Sequence, residues 1–284
     1  MADVITGNTQ IGPTKQDLVA AIVQRELAFQ AKLVPTISDW SALAVKGAKS
    51  LNIPRAGGFT VVNRASGAAG DASTVAFGTD PINLDLNLYV SWIIDSYDEY
   101  QASPDVQLAY IRRAASAHAR KVDSEIIAVL EDVFFNTAGT GAMTYAKIVA
   151  ARRALLEKNA QMDQTVLVGS AEFESNLIQL TEFKDASVYG MPTIPNMQPV
   201  GRIHGIPFLV HNGITGNIAY MYDKDGVGIA FQQGANMSEQ GANEYGSKAV
   251  RVAMDQVLGI GGLQIAQAGV AAGKSALVYK IVNT

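Results

Sequence analysis

The chain has 284 residues, of which 48% are hydrophobic and 17% charged, with a formal net charge of -4 and no cysteine. So small a charged share leaves little polar surface for a lone globule and points to extensive subunit contacts, where charged groups are depleted. The negative balance argues against an electrostatic grip on nucleic acid, and the missing thiols exclude disulfides and thiolate metal sites.

The N-terminus, MADVITGNTQ, has no basic region followed by an apolar run, and no stretch reaches the ~20 apolar residues of a membrane span. A soluble chain made in a cytoplasm, without a membrane partner, is expected. Residues 1–16 are small and polar. Residues 17–34 carry a short helical stripe through Leu18, Ile22, Leu27 and Ala28, ended by Pro35. Nothing nearby in sequence can cover that stripe, so it reads as an arm that lies on something else.

Residues 50–94 predict a long β-hairpin. SLNIPRAGGFTVVNR is strand-like, and residues 64–74 form a tip rich in Gly, Ala and Ser. At 82–90 the residues Ile82, Leu84, Leu86, Leu88 and Val90 alternate with Asn83, Asp85, Asn87 and Tyr89. Period two marks a strand with one buried face. An isolated hairpin is marginal in water, so the first ninety residues are expected to bury their apolar surface against other copies of the chain. Arg55, Arg64, Asp71 and Asp80 are candidates for charge pairs across such contacts.

Residues 103–135 predict the clearest helix. Ser103 suits the N-cap, Pro104 the first helical position and Asp105 the positive end of the dipole. Leu108, Ile111, Ala115, His118, Val122, Ile126, Val129 and Val133 then recur at helical spacing. Such a helix is about 45 Å long at ~1.5 Å per residue. Its charges run against the dipole, with Arg112, Arg113, Arg120 and Lys121 ahead of Asp123, Glu125, Glu131 and Asp132. Lys121 and Glu125 can pair along the helix; the others, Arg112 and Arg113 foremost, are expected to meet neighbours. From 137 onward the elements are shorter. Thr144 caps a helix through Ile148, Ala151 and Leu155, TVLVG at 165–169 is a buried strand, and Ser170 caps a helix through Phe173, Leu177 and Leu180. Residues 181–200 predict a long exposed loop, 201–211 and 217–232 strands with a turn at Lys224-Asp225-Gly226, and 248–267 and 275–282 further strands.

The chemistry of known sites is poorly matched. AGVAAGKS at 268–275 meets a relaxed phosphate-loop pattern through Ala268, Gly273, Lys274 and Ser275, but the residues after it are strand-like where a helix is required. Asp223-Lys224-Asp225-Gly226 begins like a calcium loop, yet Gly234 stands at the twelfth position, where Glu is needed. His118 lies on an apolar stripe, and His204 and His211 are seven apart on one strand, on opposite faces. There is no GxSxG and no Ser-His-Asp signal. Arg152 and Arg153 read as a solvated helix face. No enzyme, cofactor or metal is expected.

The order of parts resembles the major capsid protein of tailed bacteriophages, the Hong Kong 97-type fold, an α+β architecture. VPTISDWSALAVKGAKSLNIPRAGGFTVV at 34–62 looks like that family's run into its extended loop. VSWIIDSYDEYQASPDVQLAYIRRAASAHARKVDSEII at 90–127 looks like its approach to the spine helix. GRIHGIPFLVHNGI at 201–214 is similar to a strand of its axial domain. The resemblance implies an N-terminal arm (1–35), a peripheral domain with the spine helix (36–47 and 93–136) and an extended loop (48–92). It further implies an axial domain (137–247) and strands returning to the peripheral domain (248–284). It implies a virion subunit that builds hexamers and pentamers of an icosahedral shell around double-stranded DNA in a bacterial host's cytoplasm. Scaffolding, portal and decoration proteins would be its partners. Some relatives join an extended-loop lysine to a neighbour's asparagine; here no lysine lies between residues 50 and 90, and Lys46 and Lys49 sit at the loop's root. No such cross-link is therefore expected. The alternatives are an encapsulin-type nanocompartment shell and, from a different class, a nucleotide-binding enzyme using Lys274.

Overall fold

The helix predicted at 103–135 forms over Pro104–Val133 (α1) and is the member that both main sheets share. The computed structural model describes residues 31–56, 77–94, 104–139, 141–180, 201–241, 250–263, 270–271 and 273–283. The predicted arm helix up to residue 30, the hairpin tip at 64–74, the cap at Ser103 and the loop at 181–200 lie outside these.

A four-stranded sheet has the order β1 (Ser38–Asp39), β10 (Val227–Gly241), β11 (Val250–Gly262), β4 (Leu86–Ile94). β1 runs parallel to β10, and the other neighbours are antiparallel. A six-stranded sheet has the order β5 (Phe134–Ala138), β12 (Ser275–Val282), β9 (Ile218–Asp223), β6 (Thr165–Gly169), β8 (Ile206–Val210), β7 (Arg202–Ile203). Helices α2 (Tyr145–Glu157) and α3 (Ala171–Gln179) complete this α/β part. β2 (Ser50–Ala56) and β3 (Phe77–Asn83) form a separate antiparallel pair.

The central strands of the six-stranded sheet are buried on both faces, so their side chains serve two cores in alternation. Val166 and Val168, Tyr220 and Tyr222, and Val278 join Val122, Ile126, Leu130 and Val133 of α1, together with Ile229 and Leu258 of the other sheet. Leu167, Met221, Leu277, Tyr279 and Ile281 point the other way and meet Ile148, Ala151 and Leu155 of α2 and Phe173 and Leu177 of α3. This is why TVLVG is apolar without a break, while α2 and α3 each carry one stripe. Ser170 caps α3 as expected, its Oγ accepting the Phe173 N–H at 3.0 Å. Thr144 precedes α2 without a side-chain cap bond; its carbonyl accepts the Lys147 N–H instead.

The readings of the 82–90 run and of the turn at Lys224-Asp225-Gly226 are corrected. The alternating run at 82–90 is not one strand: it breaks after Asn83, so β3 pairs with β2 whereas β4 pairs with β11. Its apolar face is covered within the same chain. Ile82 and Leu84 pack with Ile53, Ala230 and Leu263, and Leu88 joins the α1 core. The root of the arm is likewise internal, because Leu33 and Ile37 are fully buried in that core. The partner surface comes from β10 and β11, roughly 150 residues downstream, where a local pattern cannot see it. Next, β9 and β10 do not pair across Lys224-Asp225-Gly226; that turn carries the chain from the six-stranded sheet to the four-stranded one. β10 lies beside β1 and β11 in the four-stranded sheet. Farther along, β11 joins the four-stranded sheet and β12 inserts between β5 and β9.

Candidate assembly surfaces and internal charge networks

The predicted interface residues separate into three groups. Arg55 and Asp80 meet each other across β2 and β3, Nη1 to Oδ1 at 3.0 Å, with Asp80 buried. Arg112 and Arg113 are exposed on α1. Arg64 and Asp71 lie outside the described residues.

The inverted charge order of α1 is resolved from within the chain. The last turn of α1 has no basic residue, and β12 and the turn before it supply the missing cations. Lys280 pairs with Glu131, which also accepts the Tyr220 hydroxyl, and Lys274 donates to the Asp132 carbonyl beside the Asp132 carboxylate. Both ammonium groups stand 5.2 Å from the centroid of the Phe134 ring. Cations here complement the negative helix end and satisfy a terminal carbonyl. Burial alone would raise the Glu131 pKa, but the Lys280 and Tyr220 bonds and the two lysine charges outweigh it and hold it below its ordinary value. Burial and Glu131 push the Tyr220 hydroxyl well above its usual range. Lys121 and Glu125 pair at 2.5 Å as expected.

These contacts also settle the Lys274 alternative. Ser275 is fully buried at the start of β12, Gly273 takes a positive φ of 78°, and Lys274 is spent on the end of α1. A phosphate cradle needs those groups facing a ligand at a helix N-terminus, and here a strand follows. The calcium-like turn is used up in the same way. Asp223 accepts the Gln161 N–H at 2.6 Å and the Asp225 N–H at 3.2 Å. No cluster of potential metal ligands occurs among the described residues.

Three internal ties were not visible in the sequence. The Asp123 carboxylate, buried on α1, accepts the N–H groups of Lys32 at 3.1 Å and Leu33 at 3.2 Å and pairs with His211 Nε2 at 3.1 Å. His211 Nδ1 accepts the Gly213 N–H at 3.0 Å, so the ring proton sits on Nε2 and is donated to Asp123. Lys147 Nζ donates to Gly141 O at 2.7 Å, Val282 O at 2.9 Å and Asn283 Oδ1 at 3.0 Å, pinning the end of β12 to α2. Tyr145 meets His204, which adopts a positive φ of 51°. The only hint in the sequence was a carboxylate, Asp123, set beside the apolar stripe at Val122 and Ile126.

Exposed apolar side chains remain at Leu43 and Val45 before β2, at Tyr89 and Ile93 on β4, at Tyr110 on α1, and at Val149 and Leu156 on α2. Scattered exposed apolar groups are ordinary, but these recur on every part of the fold.

The family model for phage capsid protein matches residues 19–271. The chain belongs to the phage capsid protein family. Its fold is that of solved phage capsid chains. Against a structure titled Mycobacterium phage Che8 the TM-score is 0.66 at 17% identity, covering 89% of this chain and 91% of that one. Against the capsid of cyanophage P-SCSP1u the TM-score is 0.67 at 14% identity, covering 88% and 86%. Against the cyanophage Pam1 capsid it is 0.64 at 13% identity, covering 89% and 92%. No curated protein matches in sequence. The α+β class and the capsid architecture read from the sequence are thus borne out, and neither the nanocompartment nor the nucleotide enzyme is favoured.

Proposed function

We propose that the chain is the major subunit of an icosahedral shell, assembling as hexamers and pentamers around the double-stranded DNA of a tailed phage. Assembly takes place in the bacterial host's cytoplasm, with scaffolding, portal and decoration proteins as partners. The observation that carries this reading is the family match over most of the chain, joined to a fold shared along nearly the whole length of solved capsid chains. The surface fits the role, with apolar groups presented on both sheet-bearing parts and Arg113 exposed on α1 as a charge for a neighbouring copy. Each such contact is weak alone, and many per subunit stabilise a closed shell by mass action. Arg64 and Asp71 are assigned to the same interfaces, and Arg55 with Asp80 to holding the extended loop in shape beside them. Negative-stain electron microscopy of the expressed protein tests the proposal. Closed shells, or rings of six and five subunits, are expected; a monodisperse monomer at high concentration overturns it.

A further inference from the structure

We infer that Asn212 is a site of self-catalysed deamidation, with His211 as the base that removes the proton of the Gly213 amide. Asn212-Gly213 is the one Asn-Gly pair in the chain. It stands in the turn after β8, which is closed by the Ile214 N–H donating to the His211 carbonyl at 3.3 Å. Asn212 and Gly213 are both exposed, so the amide side chain is free to turn back on its own main chain and water reaches the pair. With no Cβ at 213, the main-chain nitrogen after Asn212 is unshielded. The fold demands this glycine as well: a Cβ there would lie 2.9 Å from Nδ1 and Cε1 of His211 and 3.1 Å from the Ile127 side chain. The dipeptide is therefore pressed against the imidazole.

That imidazole is set up as a base. Its Nδ1 accepts the Gly213 N–H at 3.0 Å, and its Nε2 lies 3.1 Å from Oδ2 of Asp123, a carboxylate buried on α1. A carboxylate on one ring nitrogen and a reacting group on the other lets a histidine take a proton and hold the charge. A carbonyl acceptor would only keep this N–H from reacting, whereas an imidazole can remove its proton. Asp123 is the positioning residue, itself fixed by the N–H groups of Lys32 and Leu33. In the step, His211 Nδ1 takes the amide proton while the Gly213 nitrogen forms a bond to Asn212 Cγ. The Cγ–Nδ2 bond then breaks, and the proton passes from His211 to the departing nitrogen, which leaves as ammonia. Water opens the resulting cyclic imide at either carbonyl, giving aspartate or isoaspartate, and no oxidant or cofactor is consumed. An isoaspartyl linkage adds a methylene to the main chain between the ring and the N–H it accepts, so the reaction loosens the tie that promoted it.

The test compares full-length protein at neutral pH with a free peptide of residues 207–217, which keeps the His-Asn-Gly order without the fold. Conversion of Asn212 is followed by peptide mass mapping, and isoaspartate by enzymatic methylation. Asn212 in the folded chain should convert at least about tenfold faster than in the peptide, because a positioned base contributes roughly 10²–10⁴ and the turn restrains the side chain. His211→Gln, whose amide oxygen can still accept the Gly213 N–H but takes up no proton, should convert at the peptide rate or below it. Asn217, which Ile218 follows, should stay intact throughout. Conversion in the folded wild type no faster than in the peptide would overturn the inference, and so would a His211→Gln chain as fast as the wild type. The comparison of wild type with peptide needs no variant, so it decides the matter even where His211→Gln fails to fold.

Discussion

Asp123 determines where three segments meet: its two oxygens hold the backbone of Lys32 and Leu33 and the ring of His211, so the arm root, α1 and the turn after β8 share one anchor. In Asp123→Ala the Leu33 N–H stays buried without an acceptor, and the ring of His211 loses its partner. A loss of about 3 kcal/mol in the urea stability of disassembled subunits is expected, with faster proteolysis near residues 30–33. His211→Ala leaves the carboxylate to the two N–H groups and should cost only about 1 kcal/mol; equal losses would show that the backbone contacts carry nothing. The second residue-scale effect belongs to His118. Burial lowers its pKa from 6.5, and Gln256, the Met254 backbone and the Asp255 charge offset only part of that, without a hydrogen bond of good geometry. The folded state therefore holds the ring neutral, whereas the unfolded chain takes up a proton near pH 6.5. Its contribution is complete above that pH and drains as pH falls through the depressed folded value, at no more than about 1.4 kcal/mol per pH unit. Between about pH 7 and pH 5 the melting temperature should fall further for the wild type than for His118→Leu. Parallel declines would place the acid sensitivity elsewhere. Neither role was legible beforehand: a helical stripe reveals that His118 is inward, but a tie between residues some ninety apart has no local period.

At the scale of elements, the hairpin base sits so closely on β11 that glycine is required there. A Cβ built at Gly259 would lie 2.2 Å from the Asn83 carbonyl oxygen, which is backbone and cannot swing away; one at Gly262 would lie 2.7 Å from the Val133 side chain. The chain passes from β3 to β4 at this point, so Gly259 sets where the β2–β3 pair leaves the four-stranded sheet. Gly259→Ala should destabilise by at least about 2 kcal/mol, as overpacking of a close contact does, and displace the loop enough to stop shell closure. Gly139→Ala, whose Cβ would meet nothing within 4 Å, should leave stability and assembly unchanged. Urea melts with electron microscopy of both variants decide the matter, and normal shells from Gly259→Ala would sink it. The same region shows which parts of the fold could be read early. α1, α2, α3 and β6 announce themselves because their apolar spacing matches a helix or a doubly buried strand. The fate of residues 82–90 could not be read. Alternation reveals that a face is buried; it does not say that the strand will break and give Ile82 and Leu84 to the hairpin cluster and Leu88 to the main core.

At the scale of the whole molecule the described part of the first ninety residues, 31–56 and 77–90, is more tightly integrated than its sequence implies, and this bears on how a shell of such subunits is held. Arg55 and Asp80 satisfy each other across the hairpin, and Leu33, Ile37, Ile53 and Ile82 are sunk in the subunit's own cores. The described base of the loop, β2 and β3, is thus held within the subunit, and side chains such as Tyr89 and Ile93 stay exposed beside it. A covalent bond through that loop would need a lysine in it, and none lies between residues 50 and 90. Several of the described lysines elsewhere are engaged within the subunit. Lys147 has three internal acceptors, while Lys274 and Lys280 stabilise the end of α1. Lys46 and Lys49 are exposed, but they stand at the root of the loop and not at its reach. We expect such a shell to be held by packing, hydrogen bonds and charge pairs summed over many copies. Purified particles boiled in SDS should run as a single band at the 30.1 kDa chain mass. Ladders of dimers and higher multiples, surviving boiling and reduction, would show that a lysine outside the loop reaches a neighbour after all.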